Sequence, residues 1–344
     1  MNRDTRIFGT TEEEIQQAAQ LIRDGGLVAF PTETVYGLGA DAMNAEAVSK
    51  VYEAKGRPSD NPMIVHIAER NQMNMLTYEI TEDMKLLMDA FWPGPLTMVV
   101  QAKEQVPRVV TGGLDTVAVR MPDSKPTLEL IKVSGCPLVG PSANLSGHPS
   151  PTSHLHVDDD LHGRIDAIIQ GDNCRVGIES TVVDMTEQFP IVLRPGIITN
   201  DQIADVLNKP VEFDPAILKK PEIIDSGSLL ETNSDYVPKS PGMKYKHYAP
   251  KAEMIIFMGD AEKVRLAMAE EKMERMSYGQ RVEVLVYDNN DPSKAAREFF
   301  AQLREFDKTG VDVIFATALD EKGVGLAVMN RMFKSAGYNI REIK

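Results

Sequence analysis

Short apolar runs separated by helical patterns fill the first 213 residues of this chain. The runs that predict strands are residues 27–30, 63–67, 97–101, 117–120, 138–139, 167–169, 181–183 and 191–193. The stretches that predict helices after the first one are residues 45–54, 81–91, 126–133 and 200–207. Because strands outnumber helices, we expect a mixed sheet with helices packed on it, in an α/β or α+β fold.

The first predicted helix has clear signals at both ends. Thr11 and Glu14 have the spacing of a capping box, and apolar residues from Ile15 to Ile22 recur at helical spacing. Gly25 and the glycine after it end the pattern.

Residues 251–344 have a simpler pattern. Apolar runs at 254–258, 282–287 and 311–316 alternate with helical stretches near 261–277, 292–306 and 323–336. This β-α-β-α-β-α order predicts a small parallel sheet covered by helices. Gly323 and Gly325 at the last helix resemble a phosphate loop only faintly, and a close approach of the helix is the simpler explanation.

Residues 214–250 differ from both flanks, because they are polar and rich in proline. We therefore predict a first domain at 1–213, a linker at 214–250 and a C-terminal domain at 251–344. The end of the linker, Ser240–Pro250, contains Tyr245, His247 and Tyr248, which is unusual for a linker that only connects two domains. We interpret this segment as a lid over a bound ligand.

Length, charge and cysteine content narrow the class of protein. A chain of 344 residues is long enough for two domains. The net charge of −14, most of it in residues 1–213, argues against stable nucleic-acid binding, so any phosphate site must be local. No apolar run approaches the roughly 20 residues of a membrane span, which predicts a cytoplasmic protein without a membrane partner. Cys136 and Cys174 indicate neither a disulfide framework nor a zinc site, and we expect both to be buried.

A candidate phosphate site follows the predicted helix at 45–54. Lys55 and Arg57 are two cations separated by one glycine, and Pro58 and Pro62 stiffen the chain after them. Such a positive concavity suits a polyphosphate, although the cations could equally cap the end of the helix. His66, at the end of the next apolar run, fits a core histidine or a ligand.

Polar side chains also occur at the ends of later predicted strands. Arg120 ends one strand, where its guanidinium could bind a carboxylate through two hydrogen bonds. Ser142 and Asn144 lie in a loop after another strand, and Ser180 and Arg194 lie at two further strand ends. None of these positions indicates a particular function by itself.

Two other patterns are weak. Gly37 and Gly39 nominally match a dinucleotide fingerprint. In that fingerprint the helix begins within the glycines, whereas here we expect the glycines to follow a strand end and the helix to begin only after its cap at Asn44. His154 and His156, followed by the acidic run 158–160, superficially suggest a metal site, and a solvated helix start is the alternative. We therefore predict no metal ligands in the chain.

Taken together, several motifs resemble the YrdC family of threonylcarbamoyl-adenylate synthases. The motifs are Phe30-Pro-Thr-Glu-Thr-Val-Tyr-Gly-Leu-Gly39, Lys55-x-Arg57-Pro58 with Asn61-Pro62 and His66, Pro141-Ser142-Ala143-Asn144-x-Ser146-Gly147 with Pro149-Ser150-Pro151-Thr152, and Glu179-Ser180-Thr-Val-Val-Asp184. Ser240–Pro250 resembles the linker motif of the longer, two-domain members. The resemblance therefore covers the whole chain and implies a YrdC-like catalytic domain followed by a Rossmann-like domain.

The resemblance implies an enzyme that makes threonylcarbamoyl-AMP and pyrophosphate from L-threonine, bicarbonate and ATP. The implied threonine ligands are Thr34, His66, Arg120 and Ser180. The implied ATP ligands are Lys55, Arg57, Asn61, Thr116, Ser142, Asn144, Ser150, Arg194 and Tyr245. Lys55 and Arg57 would be catalytic by stabilising phosphate charge, and Mg²⁺ would arrive on the ATP phosphates. Partner proteins would then transfer the threonylcarbamoyl group to tRNA.

Two alternatives remain at this point. The first domain could bind RNA without catalysis, although its acidity and the lack of aromatic residues among its cations disfavour this. The chain could also transfer a carbamoyl group to another acceptor, as related domains do inside larger hydrogenase-maturation proteins. It lacks the zinc-finger cysteines and extra domains of those proteins.

Overall fold

The computed structural model describes residues 3–218 and 247–344. Within them, the larger of two sheets has eleven strands. In chain order these are β1 (Arg6–Phe8), β2 (Val28–Phe30), β3 (Gly37–Asp41), β4 (Ile64–His66), β5 (Leu96–Gln101), β6 (Thr116–Arg120), β7 (Leu138–Val139), β8 (Ala167–Ile169), β9 (Thr181–Asp184), β10 (Ile191–Arg194) and β11 (Glu212–Phe213). Every predicted strand is present, whereas β1, β3 and β11 were not predicted.

The sheet is mixed, as predicted. Its strand order is β1-β8-β2-β3-β7-β4-β6-β5-β9-β10-β11. β4 runs parallel to β6 with His66 opposite Arg120, and β5 runs antiparallel to β6 with Thr97 opposite Arg120. β9 begins beside the start of β5, where Leu96 pairs with Thr181. The ends of β4 and β6 therefore meet the segment that enters β9.

Gly37 and Gly39 follow the strand β2 and precede the helix Ala45–Lys55 as expected, but they themselves lie inside β3, an unpredicted strand that pairs antiparallel with β2. Their spacing puts them on one face of β3. The ring of Phe30 fills that face, since a Cβ atom at Gly37 would come within 2.6 Å of it. The glycines here admit an aromatic side chain instead of binding a dinucleotide.

Helices pack on this sheet. They are α1 (Glu12–Arg23), α2 (Ala45–Lys55), α3 (Met73–Leu76), α4 (Glu82–Phe91), α5 (Arg108–Thr111), α6 (Lys125–Ser134), α7 (His154–Leu161), α8 (Asn200–Leu207) and α9 (Pro215–Leu218), and a 3₁₀ turn lies at Arg70–Gln72. The predicted capping box of Thr11 and Glu14 is present. Asn44 caps α2 as expected, and α2 ends at Gly56 in the left-handed conformation with φ 61°.

The C-terminal part forms its own sheet of four parallel strands, which confirms the predicted class. Its elements are β12 (Glu253–Gly259), α10 (Ala261–Ser277), β13 (Val282–Leu285), α11 (Pro292–Thr309), β14 (Val313–Thr317), α12 (Gly323–Ser335) and β15 (Ile340–Ile343). The strand order is β13-β14-β12-β15, and β15 was not predicted. The C-terminal chain thus adds an edge strand after the last helix.

The apolar core of the C-terminal part continues into the first part. Val35 and Ile178 belong to the same buried cluster as Phe299, Phe300 and Met329. The two sheets are therefore joined by packed side chains as well as by the chain itself.

Three further sequence predictions concern the linker, the two cysteines and membrane-spanning helices. Residues 219–246, which include Tyr245 and most of the predicted lid, lie outside the described residues. Cys174 is buried as expected, whereas Cys136 is only half-buried. Among the described residues, no helix is both long and apolar enough to cross a bilayer.

Candidate active site

A cleft opens where the ends of β4 and β6 meet the segment that enters β9. The residues that line it are Thr32, Thr34, Val35, Gly37, Arg57, Ile64, His66, Arg120, Gly140, Pro141, Ser142, Glu179, Ser180, Arg194, His247 and Tyr248. The structure thus brings together Thr34, Arg57, His66, Arg120, Ser142, Ser180 and Arg194 from the predicted set. These residues are far apart in sequence and meet because of the strand order.

Arg120 is held in one orientation at the floor of the cleft. Its Nη1 donates a 2.8 Å hydrogen bond to Thr34 Oγ1, and its Nε donates a 3.2 Å bond to the Gly94 carbonyl oxygen. Its Nη2 forms a 2.6 Å ion pair with Glu33, whose side chain is fully buried. A buried carboxylate fixes the guanidinium, so Arg120 is preorganised for an anion in the cleft.

Ser180 and Arg194 form a second rigid unit. The Ser180 hydroxyl shares a 2.8 Å hydrogen bond with Thr97 Oγ1. Arg194 donates from Nε to the Ser180 carbonyl oxygen at 3.1 Å and from Nη2 to Ser180 Oγ at 3.2 Å. Burial lowers the pKa of Arg194 to about 10, so the guanidinium remains charged at neutral pH.

The sequence left open whether His66 is a core histidine or a ligand. The structure gives it both properties, because its side chain is buried and also lines the cleft. Its ring meets Phe30 edge-on, with ring centroids 5.5 Å apart. Burial and the nearby Arg120 lower the pKa of His66 to about 3, so the ring is neutral. Among the described residues, Nδ1 has no hydrogen-bond partner. A buried ring nitrogen without a partner suits a hydrogen bond to a bound ligand.

Lys55 and Arg57 diverge after the end of α2. The Lys55 ammonium is buried and donates to the carbonyl oxygens of Ser142 and Asn144, the latter at 2.6 Å. Burial lowers the pKa of Lys55 well below its usual value. Arg57 lines the cleft and donates to the Pro62 carbonyl oxygen at 2.9 Å. Arg57 therefore faces the cleft, whereas Lys55 holds the loop that carries Ser142.

Glu33 and Glu179 are charged residues of the site that sequence reasoning did not assign. Ser150 donates a 2.5 Å hydrogen bond to Glu179 Oε1, and Arg331 donates a 3.1 Å bond to Glu179 Oε2. Burial would raise the pKa of Glu179, but the charges of Arg331 and Arg194 and the Ser150 hydrogen bond lower it. Both glutamates belong to the recognised motifs, where Glu33 precedes Thr34 and Glu179 precedes Ser180. This adjacency to predicted ligands was the sequence signal that could have identified them.

Five predicted ATP ligands that the structure describes do not line the cleft: Lys55, Asn61, Thr116, Asn144 and Ser150. Ser150 and Asn144 lie behind it, where Asn144 donates to the Leu145 and His148 carbonyl oxygens. Asn61 is buried beside Arg57, which donates to its carbonyl oxygen at 3.3 Å. Thr116 begins β6, at the opposite end of that strand from Arg120. Tyr245 lies outside the described residues.

The last residues of the predicted linker reach the cleft. His247 and Tyr248 line it, and the Tyr248 ring packs on Phe300 with centroids 5.1 Å apart. The Ala249 amide donates a 2.9 Å hydrogen bond to the Gly147 carbonyl oxygen. Burial lowers the pKa of His247 to about 3. This part of the linker therefore forms one wall of the cleft.

The histidine-rich stretch lies in and around α7, where its acids pair with cations of the C-terminal part. Asp160 accepts a 2.8 Å bond from Arg304, and Asp159 pairs with Lys308 at 2.7 Å. Within residues 3–218 and 247–344, no group of three or more histidine, cysteine, aspartate or glutamate side chains could hold a metal ion.

Comparison with known proteins gives matches over both parts of the chain. A family model for Sua5, YciO and YrdC proteins, described as telomere recombination, matches residues 20–196. A second model, described as the C-terminal domain of threonylcarbamoyl-AMP synthase, matches residues 198–337.

Full-length relatives are similar throughout. Threonylcarbamoyl-AMP synthase of Pyrococcus abyssi is 47% identical over 342 residues, which cover 96% of both chains. The Bacillus subtilis protein of the same name is 45% identical and covers 97% of this chain and 96% of its own. A crystal structure of P. abyssi Sua5 complexed with L-threonine matches with a TM-score of 0.90 at 46% identity, covering 99% of this chain and 100% of that one.

Proposed function

Because the chain belongs to the family of threonylcarbamoyl-AMP synthases, we propose that it condenses L-threonine, bicarbonate and ATP into threonylcarbamoyl-AMP. In the first step, the threonine amine and bicarbonate form a carbamate with loss of water. A carbamate oxygen then attacks the α-phosphorus of ATP, and pyrophosphate leaves. Both reacting partners are anions, so their mutual repulsion is the main obstacle.

The observation that carries this proposal is the convergence of three arginines on one cleft. Arg57 follows α2, whereas Arg120 and Arg194 end β6 and β10, and all three line the same cavity. Fixed cations that need no rearrangement offset the repulsion between carbamate and phosphate as charge develops. Positioning and electrostatics then supply the catalysis, as in other phosphoryl and nucleotidyl transfers.

Threonine is proposed to bind between Arg120 and Ser180. Arg120 would take the carboxylate, because Glu33 and Thr34 already fix the direction of its guanidinium. The hydroxyl of Ser180 and the neutral ring of His66 would bind the remaining polar groups of the amino acid. The P. abyssi relative, which was crystallised with L-threonine, supports a threonine site in this fold.

ATP is proposed to bind on the side of Arg57, Ser142 and Arg194. Lys55 supports this subsite from behind through its bonds to the loop of Ser142, and Arg57 is the catalytic cation nearest the phosphates. Mg²⁺ would accompany ATP and neutralise part of its charge. The remaining proposed ATP ligands are Asn61, Thr116, Asn144, Ser150 and Tyr245.

The product is a mixed anhydride that reacts readily with nucleophiles. We therefore propose that downstream transferase proteins accept the threonylcarbamoyl group and pass it to tRNA, and that the enzyme works in the cytoplasm with them. RNA binding without catalysis is not favoured, because the relatives carry the name of an enzyme.

The decisive experiment incubates the purified protein with ATP, labelled L-threonine and bicarbonate. We expect pyrophosphate and a labile, threonine-containing adenylate in equal amounts, and neither product when threonine is omitted. The Arg57→Ala variant should keep its fold and lose at least ~100-fold in pyrophosphate release, because one preorganised donor typically contributes about 3 kcal/mol. Folded wild-type protein that makes no adenylate would refute the proposal.

A further inference from the structure

The C-terminal part contacts the active site at the segment that enters β9. Val176 and Gly177 donate to the carbonyl oxygens of Glu33 and Thr34 at 2.8 and 3.1 Å. On its other side, Gly177 lies against α11, where an added Cβ would come within 2.4 Å of the Arg297 Cα atom. Gly177 has a φ of 85°, which favours glycine. This segment is thus clamped between the threonine side of the cleft and the C-terminal part.

Arg331 on α12 makes the deepest of these contacts. Its side chain is fully buried. Nε donates to Glu179 Oε2 at 3.1 Å, Nη2 donates to the Glu179 carbonyl oxygen at 3.3 Å, and Nη1 donates to the Pro195 carbonyl oxygen. Glu179 immediately precedes Ser180, and Pro195 immediately follows Arg194. One side chain of the C-terminal part therefore binds the neighbours of two cleft residues.

The contact between Arg331 and Glu179 is electrostatic as well as steric, because Glu179 is charged. Glu179 lines the cleft, carries a negative charge and lies near both Arg331 and Arg194. With Arg331 present, its two oxygens bond to Arg331 and Ser150. Besides Arg331, the other charge that lowers the pKa of Glu179 is that of Arg194, which is bonded to Ser180. An unpaired buried charge costs free energy, so a buried carboxylate that has lost its partner is expected to pair with another cation.

We propose that Arg331 is a positioning residue of the active site, through which the C-terminal domain keeps Glu179 away from Arg194 and holds Ser180 in place. This inference rests on the proposed function, because it assigns to Ser180 and Arg194 the binding of threonine and ATP. It gives the C-terminal domain a specific role, which is to complete the cleft of the first domain. Arg331 acts through Glu179 and the backbone beside it and does not touch the substrates.

The sequence around Arg331 agrees with such a role. The buried face of α12 is mostly apolar, with Val328, Met329 and Met332 beside the arginine. A charged side chain on an apolar helix face is expensive unless it is paired across an interface. Its partner here is a residue of the active site.

The test uses the full-length protein and four variants: Arg331→Met, Arg331→Lys, Glu179→Gln combined with Arg331→Met, and Lys308→Met. Lys308 pairs with Asp159 across the same two domains and lies on the surface, so its variant controls for a lost interdomain ion pair. Calorimetry gives the Kd for L-threonine without ATP, and pyrophosphate release gives kcat and both KM values. Thermal unfolding is measured separately for each variant.

We expect Arg331→Met to raise the threonine Kd and to lower kcat/KM about tenfold or more, because misplaced substrate groups lose catalysis steeply. The double variant should recover a large part of this loss even if it is no more stable, since the competing carboxylate is gone. Arg331→Lys should lie between wild type and Arg331→Met, and Lys308→Met should bind threonine like the wild type.

Equal threonine binding by wild type and Arg331→Lys or Arg331→Met would overturn the proposal. A double variant that binds threonine no better than Arg331→Met would also overturn it, because Arg331 would then have only a structural role. If Arg331→Met does not fold, the Arg331→Lys variant, with and without Glu179→Gln, decides the question. A wild type that binds threonine without releasing pyrophosphate refutes the proposed activity instead, and the threonine Kd values still test Arg331.

Discussion

The Lys55 ammonium donates a 2.6 Å hydrogen bond to the carbonyl oxygen of Asn144. A second bond to the Ser142 carbonyl oxygen ties the end of α2 to the loop after β7. The Lys-x-Arg motif and the Ser-x-Asn motif, which are about 90 residues apart, therefore form one unit. Its lysine holds the loop, and its arginine and serine face the cleft.

The variant Lys55→Met tests this unit. It removes the ammonium but keeps most of the apolar chain, so two buried carbonyl oxygens lose their donor and the loop loosens. We expect a fold close to wild type by circular dichroism and pyrophosphate release reduced at least ~100-fold, because the cleft loses a preorganised part. Lys50→Met is the matched control, since Lys50 is on the same helix and pairs with the exposed Glu46. Near wild-type turnover of folded Lys55→Met would contradict the prediction.

The Arg120→Lys variant should separate the two substrates. A lysine cannot keep the bonds to Thr34 and the Gly94 carbonyl oxygen while also meeting a carboxylate with two donors. We therefore expect the KM for threonine to increase more than the KM for ATP in steady-state assays. Equal increases in both values would mean that Arg120 does not bind threonine selectively.

The Gly140→Ala variant should disturb the cleft without changing any charge. An added Cβ would lie 2.5 Å from His66 Nδ1 and 2.8 Å from Phe30 Cζ. These rings are tightly packed, so overpacking should lower the free energy of unfolding by about 1–3 kcal/mol in urea titrations. Threonine binding should weaken as well, because His66 moves. The double variant Gly140→Ala and His66→Ala should regain part of the lost stability, and no recovery would show that the clash lies elsewhere.

Tyr248 allows a test of the described end of the linker. Its ring is buried against Phe300, and the adjacent Ala249 amide bonds to Gly147. Tyr248→Ala should open the cleft wall, so we expect slower synthesis and more ATP hydrolysis per adenylate formed. Phe306→Ala, on the same helix as Phe300 but with a half-buried ring, is the control for lost packing. An unchanged ratio of hydrolysis to synthesis in Tyr248→Ala would contradict a role in excluding water.

The sequence predicted most of this fold because its signals are local. Strand and helix positions follow from apolar runs and caps, such as Thr11 with Glu14 and Asn44 before α2, and these depend on neighbours in sequence. The strands β1 and β3 were missed. β3 contains Gly37 and Gly39, and glycine is a poor strand former. The ring of Phe30 on the neighbouring strand β2 explains why glycines occupy these two positions.

The candidate site was predicted less completely, because its geometry depends on long-range pairing. Motif residues such as Arg120 and Ser180 could be assigned from the resemblance, but their fixed directions come from Glu33, Thr97 and Arg194. The contact between Arg331 and Glu179 joins residues more than 150 positions apart, and no local pattern around either residue indicates it. A charged residue on an apolar helix face was the one available hint.

A pH-dependent effect is expected from Lys334, which follows Arg331 by one turn of α12. Its Nζ lies 3.2 Å from Asn330 Oδ1. Burial, together with the charges of Arg331 and Arg194, lowers the pKa of Lys334 to about 7. In an unfolded chain the pKa of a lysine is about 10.4. Between these two values the unfolded state binds more protons than the folded state.

The stability of the wild type should therefore increase as the pH rises from about 7 toward 10, relative to a Lys334→Met variant that lacks this titration. Below pH 7 both states of the wild type carry the charge, so the folded state bears the full cost of burying it there. The slope of the difference is bounded by about 1.4 kcal/mol per pH unit, the value for one proton. Urea unfolding at several pH values between 6 and 9 measures it, with Lys308→Met as a control for an exposed lysine. If the wild type and Lys334→Met follow parallel curves over this range, Lys334 remains charged in the folded protein and the predicted shift in its pKa is wrong.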